Sequence, residues 1–300
     1  MASSNPVFSN PAFQEPGAGR RSPGAAAPTA AQATATQAAT DTATTAHLEG
    51  MYSAPAAGAI ETGRMTVEDT VIKTLGLFAI LLVTAVAGWI WTMSSVPATG
   101  RPNVLPWIIG AIGGFVMALV VIFGSRTKVR PPLIFLYAAF QGLFIGGISA
   151  FFEFIYPGIV VQATLATLAV VGVTLALFAS GKIRASARAT KIFLVAMVGY
   201  LVFGLVNLLL MVFNAPIAGG AFGLYSVKLF GWLPLGVVIG VFVVILAAYS
   251  LVLDFDSIQQ GVRNGAARQH AWLGAFGIMV TVVWLYLEIL RILALLRGNG

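Results

Sequence analysis

The chain runs to 300 residues, of which 58% are hydrophobic and only 9% charged; a water-soluble domain carries about 25% charged residues, so a soluble fold is excluded. Its net charge of +7 is unevenly divided: residues 1–70 hold three basic and six acidic side chains, residues 71–300 fourteen basic and four acidic. Basicity confined to the apolar part reads through the positive-inside rule, with no nucleic-acid partner expected, and the absence of cysteine excludes disulfides, thiolate metal sites and a cysteine nucleophile.

Residues 1–60 are rich in Ala, Thr, Pro, Gly and Ser and poor in large apolar side chains. Such a segment cannot bury enough surface to offset its conformational entropy, so a disordered, low-complexity cytoplasmic tail is expected over residues 1–65. No apolar run follows the Arg20–Arg21 pair, which excludes a secretory signal peptide there. A short duplication, Ser4 to Phe8 and Ser9 to Phe13, repeats an Asn-Pro-x-Phe unit. It reads either as chance within a biased tail or as turns that present Phe to a protein partner.

Thr66 followed by Glu68 and Asp69 reads as a helix start, with an N-cap and acids in the first turn. Apolar runs then follow at about 71–93, 104–124, 132–155, 159–179, 192–213, 229–253 and 271–296, each long enough to cross a core of about 30 Å. In lipid the backbone must satisfy its own hydrogen bonds, so these are helices; the alternating ten-residue strands of a barrel are absent. Residues 66–300 therefore form an all-α integral membrane domain of seven transmembrane helices. The loop after span two carries Arg126, Lys128 and Arg130, that after span four Lys182, Arg184, Arg188 and Lys191, and that after span six Arg263 and Arg268. The loops between hold only Arg101, no basic residue, and Lys228. This alternation puts the N-terminus in the cytoplasm and the C-terminus outside. Gly142, Gly146, Gly147, Gly236, Gly240, Gly274 and Gly277 lie inside spans, where small residues let helices approach closely.

Four acids lie beyond residue 70: Glu153, Asp254, Asp256 and Glu288. An ionisable group within a span costs about 2.5–3.5 kcal/mol on insertion scales, so each needs an account. Glu153, beside Tyr156-Pro157-Gly158, reads as a solvated interfacial carboxylate. Asp254 and Asp256 close span six and lie about 200° apart around a helix, so only one can face a given neighbour. They read either as interface residues near Arg263 and Arg268 or as functional groups. Glu288 lies well inside the last span with Arg291 three residues on and able to pair with it, either as a stabilising ion pair or as a functional acid. The last span holds no Lys for a retinal Schiff base, neither His47 nor His270 lies within a span interior, and no Gly-rich phosphate-binding Lys motif occurs, so no enzyme activity is expected.

The segment Leu251-Val252-Leu253-Asp254-Phe255-Asp256-Ser257-Ile258, then Leu285-Tyr286-Leu287-Glu288, and the ending Leu295-Leu296-Arg297-Gly298 together resemble bacterial members of the transmembrane Bax inhibitor motif family, over residues 66–300. The resemblance implies a last helix surrounded by two three-helix layers, in a bacterial plasma membrane, and a pH-sensitive calcium leak with no cofactor, Ca²⁺ being the permeant ion. It implies an acidic pair sharing a proton, Asp254 as the span-six member and Glu288 as the span-seven member, with transient Ca²⁺ contacts. Asp256 would stand in for Asp254, Arg126 would lock the span-six acid, and Arg291 is a charge additional to the family pattern. Some relatives restrain a membrane-bound protease, so a membrane-protein partner bound through the tail is the alternative to transport. If span seven begins near Ala271, Glu288 is about 25 Å along it, and contact with Asp254 requires span six to continue inward past Ile258 or span seven to start well outside the lipid.

Overall fold

The computed structural model describes residues 63–125, 129–213 and 222–298. Among them are seven helices long and apolar enough to cross a bilayer: α1 (Val67–Met93), α2 (Leu105–Gly124), α3 (Pro131–Ile155), α4 (Ile159–Ala179), α5 (Ala187–Val212), α6 (Leu235–Arg263) and α7 (Ala271–Arg297). The shortest has 20 residues, about 30 Å of helix, enough for the hydrocarbon core. The tail over residues 1–62 and the basic residues Arg126 and Lys128 lie outside the described residues.

Local sequence accounts for the helix ends. The Thr66 hydroxyl accepts from the Asp69 N–H at 3.0 Å, with Glu68 and Asp69 in the first turn, as the sequence predicts. Prolines open α2 and α3, where a missing N–H would have had no intrahelical partner anyway. Gly158, at φ +82°, makes the tight turn from α3 into α4 in a conformation that disfavours any side chain.

Two boundaries differ from the hydropathy reading. α5 begins five residues before the expected 192, with Ser186 accepting from the Ala189 N–H at 3.2 Å; its first turn is basic and reads as loop. Span six was expected over 229–253. Instead Lys228–Leu229 and Leu233–Pro234 pair as a small antiparallel hairpin, and the helix runs from Leu235 to Arg263. Hydropathy marks where lipid contact ends, whereas the backbone continues until a stop signal. That stop is Gly265 at φ +65°, with Ala266 N–H donating to Gly261 O at 2.9 Å and Gly265 N–H to Val262 O at 3.1 Å, a Schellman ending.

α7 is the axis of the bundle. Thirteen of its residues are buried. Toward its start Ala275, Phe276, Met279 and Val283 pack with Leu77 and Leu81 of α1, Val121 of α2 and Ile134, Tyr137 and Ala138 of α3. Toward its end Leu285, Tyr286, Ile289, Leu290 and Ala294 pack with Ile159 and Ala163 of α4 and Ala247 and Leu251 of α6.

Glycines set the helix spacing, as expected. A Cβ on Gly88 of α1 would lie 2.7 Å from Leu143 O, and one on Gly147 would lie 2.8 Å from Trp107 N. Gly142 abuts Leu81 O and Gly146 abuts Ala85 O, so α1 and α3 touch backbone to backbone. Gly236, Gly240 and Gly274 do the same against side chains of Leu295, Ile292 and Ile258 between α6 and α7.

The end of the bundle that bears the basic loops, called the basic end below, is stitched across a long sequence separation. Met65 N–H donates to Ala266 O at 2.8 Å and Arg268 N–H to Gly63 O at 2.9 Å, with Arg64 and Ala267 paired antiparallel. The Asp69 carboxylate receives Lys73 Nζ at 2.5 Å and Arg268 Nη2 at 3.0 Å, and Met65 is buried against Ile258 and Ala271. The α6–α7 loop and the chain entering α1 thus form one unit.

Candidate functional site

The polar side chains of the bundle interior follow α7. Nearest the basic end, the Thr281 hydroxyl donates to Asp254 Oδ2 at 2.7 Å, with Ser250 Oγ 3.5 Å from the same hydroxyl. Gly277 makes room for this contact: a Cβ there would lie 3.2 Å from Asp254 Oδ1. Farther along, the Tyr286 and Ser149 hydroxyls meet at 2.7 Å in a buried bond between α7 and α3.

Next comes Glu288, 4% exposed. Its Oε1 accepts from the Tyr200 hydroxyl of α5 and from Trp284 Nε1 at 3.3 Å, and its Oε2 faces Arg291 as an ion pair. Arg291 Nη1 donates to the Tyr200 hydroxyl at 3.1 Å, and the guanidinium lies 4.2 Å from the Tyr225 ring centroid. A buried charge pair is costly unless its polar atoms find partners. Tyr200 and Trp284 serve Glu288 Oε1 and Tyr200 serves Arg291 Nη1, whereas Glu288 Oε2 and Arg291 Nη2 have only each other and Arg291 Nε has no hydrogen-bond partner. The expected Glu288–Arg291 contact is therefore present, inside a larger aromatic cluster.

Asp254 and Glu288 do not meet. Glu288 is seven residues beyond Asp254's partner Thr281, about 10.5 Å along α7, and each carboxyl has its own hydrogen-bond set. α6 does continue past Ile258, but α7 starts at Ala271, and the extension is not long enough to bring the acids to one level. Asp256 turns away from α7 and accepts from Gln260 Nε2 at 2.6 Å in an exposed contact. Arg126 lies outside the described residues. Among the described residues no three His, Cys, Asp or Glu side chains gather to hold a metal ion.

Two further charges have structural partners. Glu153 is more than a solvated carboxylate: Oε1 accepts from Gly158 N–H at 2.5 Å and Oε2 from Val160 N–H at 3.1 Å, holding the start of α4. Glu153→Ala is expected to cost about 1 kcal/mol, the usual worth of such a cap, read as a lower unfolding temperature in detergent. Arg297 donates to Tyr156 O at 3.2 Å, Pro157 O at 2.8 Å and Gln162 Oε1 at 2.9 Å, fastening the end of α7 over the α3–α4 turn.

Tyr200, Thr281, Ser149 and Tyr286 escaped the sequence reading because hydroxyls scattered through apolar runs bear no charge to mark them. Spacing gives a partial clue: Thr281, Glu288 and Arg291 fall seven and three residues apart, which keeps them on neighbouring faces of one helix.

A family model described as Bax inhibitor 1 like matches residues 5–298, a span that takes in nearly all of the tail as well as the helices and so exceeds the expected 66–300. No curated protein and no solved structure matches the chain. Seven apolar helices ordered around a central last helix, and a family match over almost the whole length, lead to one assignment: this multi-pass membrane protein belongs to the Bax inhibitor 1 like family.

Proposed function

We propose that the chain is a pH-responsive cation leak pathway of a bacterial plasma membrane, N-terminus in the cytoplasm, with Ca²⁺ as the permeant ion and Asp254 and Glu288 as the gating acids. The observation that carries this reading is a pair of carboxyls set along one face of α7, Asp254 of α6 seated on Thr281 and Glu288 seven residues farther on. Acids held off water at this depth are costly and mark ion or proton paths by default. Because the two carboxyls occupy different levels, they act in series and not as one proton-sharing pair. Protonated, each is a neutral hydrogen-bonding partner that holds its neighbours. Ionised, each offers oxygens to a hard cation, so flux is expected to rise as pH increases. Contacts of Ca²⁺ with Asp254 and Glu288 are transient in this scheme, no resident cofactor takes part, and the chain is not an enzyme.

The test is Ca²⁺ flux into proteoliposomes across the acidic to neutral range. Wild type is expected to show pH-dependent flux, and Asp254→Asn/Glu288→Gln to lose that dependence. A double variant with wild-type flux and wild-type pH response removes the acids from the mechanism.

One observation favours a second reading, a regulatory interaction protein that restrains a membrane protease or a similar partner without transport. Residues 63–65 are bonded to the α6–α7 loop, so a partner pulling on the preceding chain would act directly on α6. Deleting residues 1–60 separates the two: a docking protein loses its partner, whereas a leak keeps its flux.

A further inference from the structure

α5 is the spanning helix with the least hold on its neighbours. Of its 26 residues only Phe193 and Asn207 are buried. A Cβ on Gly199 would meet nothing within 4 Å, and one on Gly204 only the Tyr225 hydroxyl at 3.9 Å, in contrast to the backbone contacts that lock α1 to α3. Val195 is 75% and Leu201 62% exposed, facing where lipid would be. Lipid is as apolar as these side chains, so close packing and hydrogen bonds must hold a helix in place, and α5 has little of the first.

Its polar ties fall at three levels. At the basic end the Thr190 and Tyr249 hydroxyls are 3.0 Å apart, and Phe193 lies against the Tyr249 ring with centroids 5.6 Å apart. At the far end Asn207 Nδ2 donates to Phe222 O at 3.3 Å and its Oδ1 accepts from Leu224 N–H at 2.6 Å; both partners lie on the connecting segment before the hairpin. Between these levels stands Tyr200, whose hydroxyl donates to Glu288 and accepts from Arg291. Among the described residues it makes the mid-span hydrogen bonds that join α5 to the axial helix.

We infer that Tyr200 is a latch: its hydroxyl, seated on Glu288, holds α5 closed against α7, and α5 is the helix that swings away when the latch is broken. The tie at Asn207, made through two bonds, serves as the hinge, and the single hydroxyl contact at Thr190 gives way with the latch. The consequence for permeation rests on the leak reading above: a cation that binds the Glu288 carboxylate competes with the Tyr200 hydroxyl for Oε1, so the ligand that enters the path also frees the helix that bounds it. This couples occupancy to opening through a single oxygen.

The experiment uses the full chain in lipid nanodiscs with nitroxides on Val195→Cys of α5 and Val83→Cys of α1. Both positions are exposed, at 75% and 71%, and the chain has no native cysteine. Tyr200→Phe keeps the ring beside Trp284 and Arg291 and removes only the hydroxyl. A hydrogen bond to a charged acceptor is worth about a tenfold factor or more in population, so the displaced α5 distance is expected to gain about tenfold in relative weight. Ser149→Ala, which breaks the α3–α7 hydroxyl bond, is expected to leave the α5 distance unchanged. An unaltered distribution in Tyr200→Phe overturns the latch, as does an equal change in Ser149→Ala, which would mean general loosening. A displaced α5 in Tyr200→Phe together with no cation flux in wild type upholds the latch and sinks the leak reading.

Discussion

Gly146→Val is expected to abolish recovery of folded protein from the membrane, the largest single effect foreseen. Gly146 on α3 stands against the Ala85 carbonyl of α1, where a Cβ would also lie 2.6 Å from the Ala85 carbonyl carbon. The obstacle is backbone, which cannot rotate aside as a side chain can. Overpacking ordinarily costs about 1–3 kcal/mol, and here α1 and α3 must separate along their length, disturbing Gly88 and Gly142 as well. The comparison variant is Gly199→Val on α5, where nothing lies within 4 Å and a change within about 0.5 kcal/mol is expected. Size-exclusion profiles and thermal unfolding in detergent distinguish the two. Comparable losses at both positions would contradict the account of a locked α1–α3 unit beside a loosely held α5.

The second large effect is at Arg291. Arg291→Met leaves the Glu288 carboxylate, 4% exposed, without its cation, and removing one partner of a buried pair typically costs about 3–5 kcal/mol. Replacing both, Glu288→Gln/Arg291→Met, is expected to recover most of that loss, because a neutral amide keeps acceptor and donor capacity toward Tyr200 and Trp284. The measurement is a double-mutant cycle on thermal unfolding. The coupling energy is expected to be strongly favourable; additive losses would mean that the pair does not act as a unit. Tyr225 stacks on the same guanidinium, so part of the loss in Arg291→Met is lost packing.

The spans were legible because lipid demands long apolar helices, and a run of about twenty apolar residues has few other uses. The glycines were legible for a related reason: Gly142 and Gly146 lie four apart and thus on one face, and both face α1. The ion pair at Glu288 and Arg291 followed from three-residue spacing alone. What could not be read was the level at which α6 meets α7. That register is set by the Schellman turn at Gly265 and the five residues up to His270, whose geometry hydropathy does not encode. Hence Asp254 and Glu288 could be named as membrane acids, while the hydrogen-bond partner that Asp254 finds on α7, Thr281, could not. Tyr200 was hidden for another reason. It is one hydroxyl in the apolar run of α5, and its importance comes from Glu288, about ninety residues away in sequence.

The stitch between residues 63–65 and the α6–α7 loop bears on the order in which the protein is made. Asp69 and Arg268 are 199 residues apart in sequence, and at about 5–20 residues per second of synthesis Arg268 appears some 10 to 40 s after its partner. Through that interval α1 sits in the membrane with its first turn lacking Arg268 and with Met65 lacking its buried seat against Ile258 and Ala271. The start of α1 is therefore among the last parts of the bundle to be secured, although the body of that helix is already held against α3, and completion of the α6–α7 loop closes the basic end.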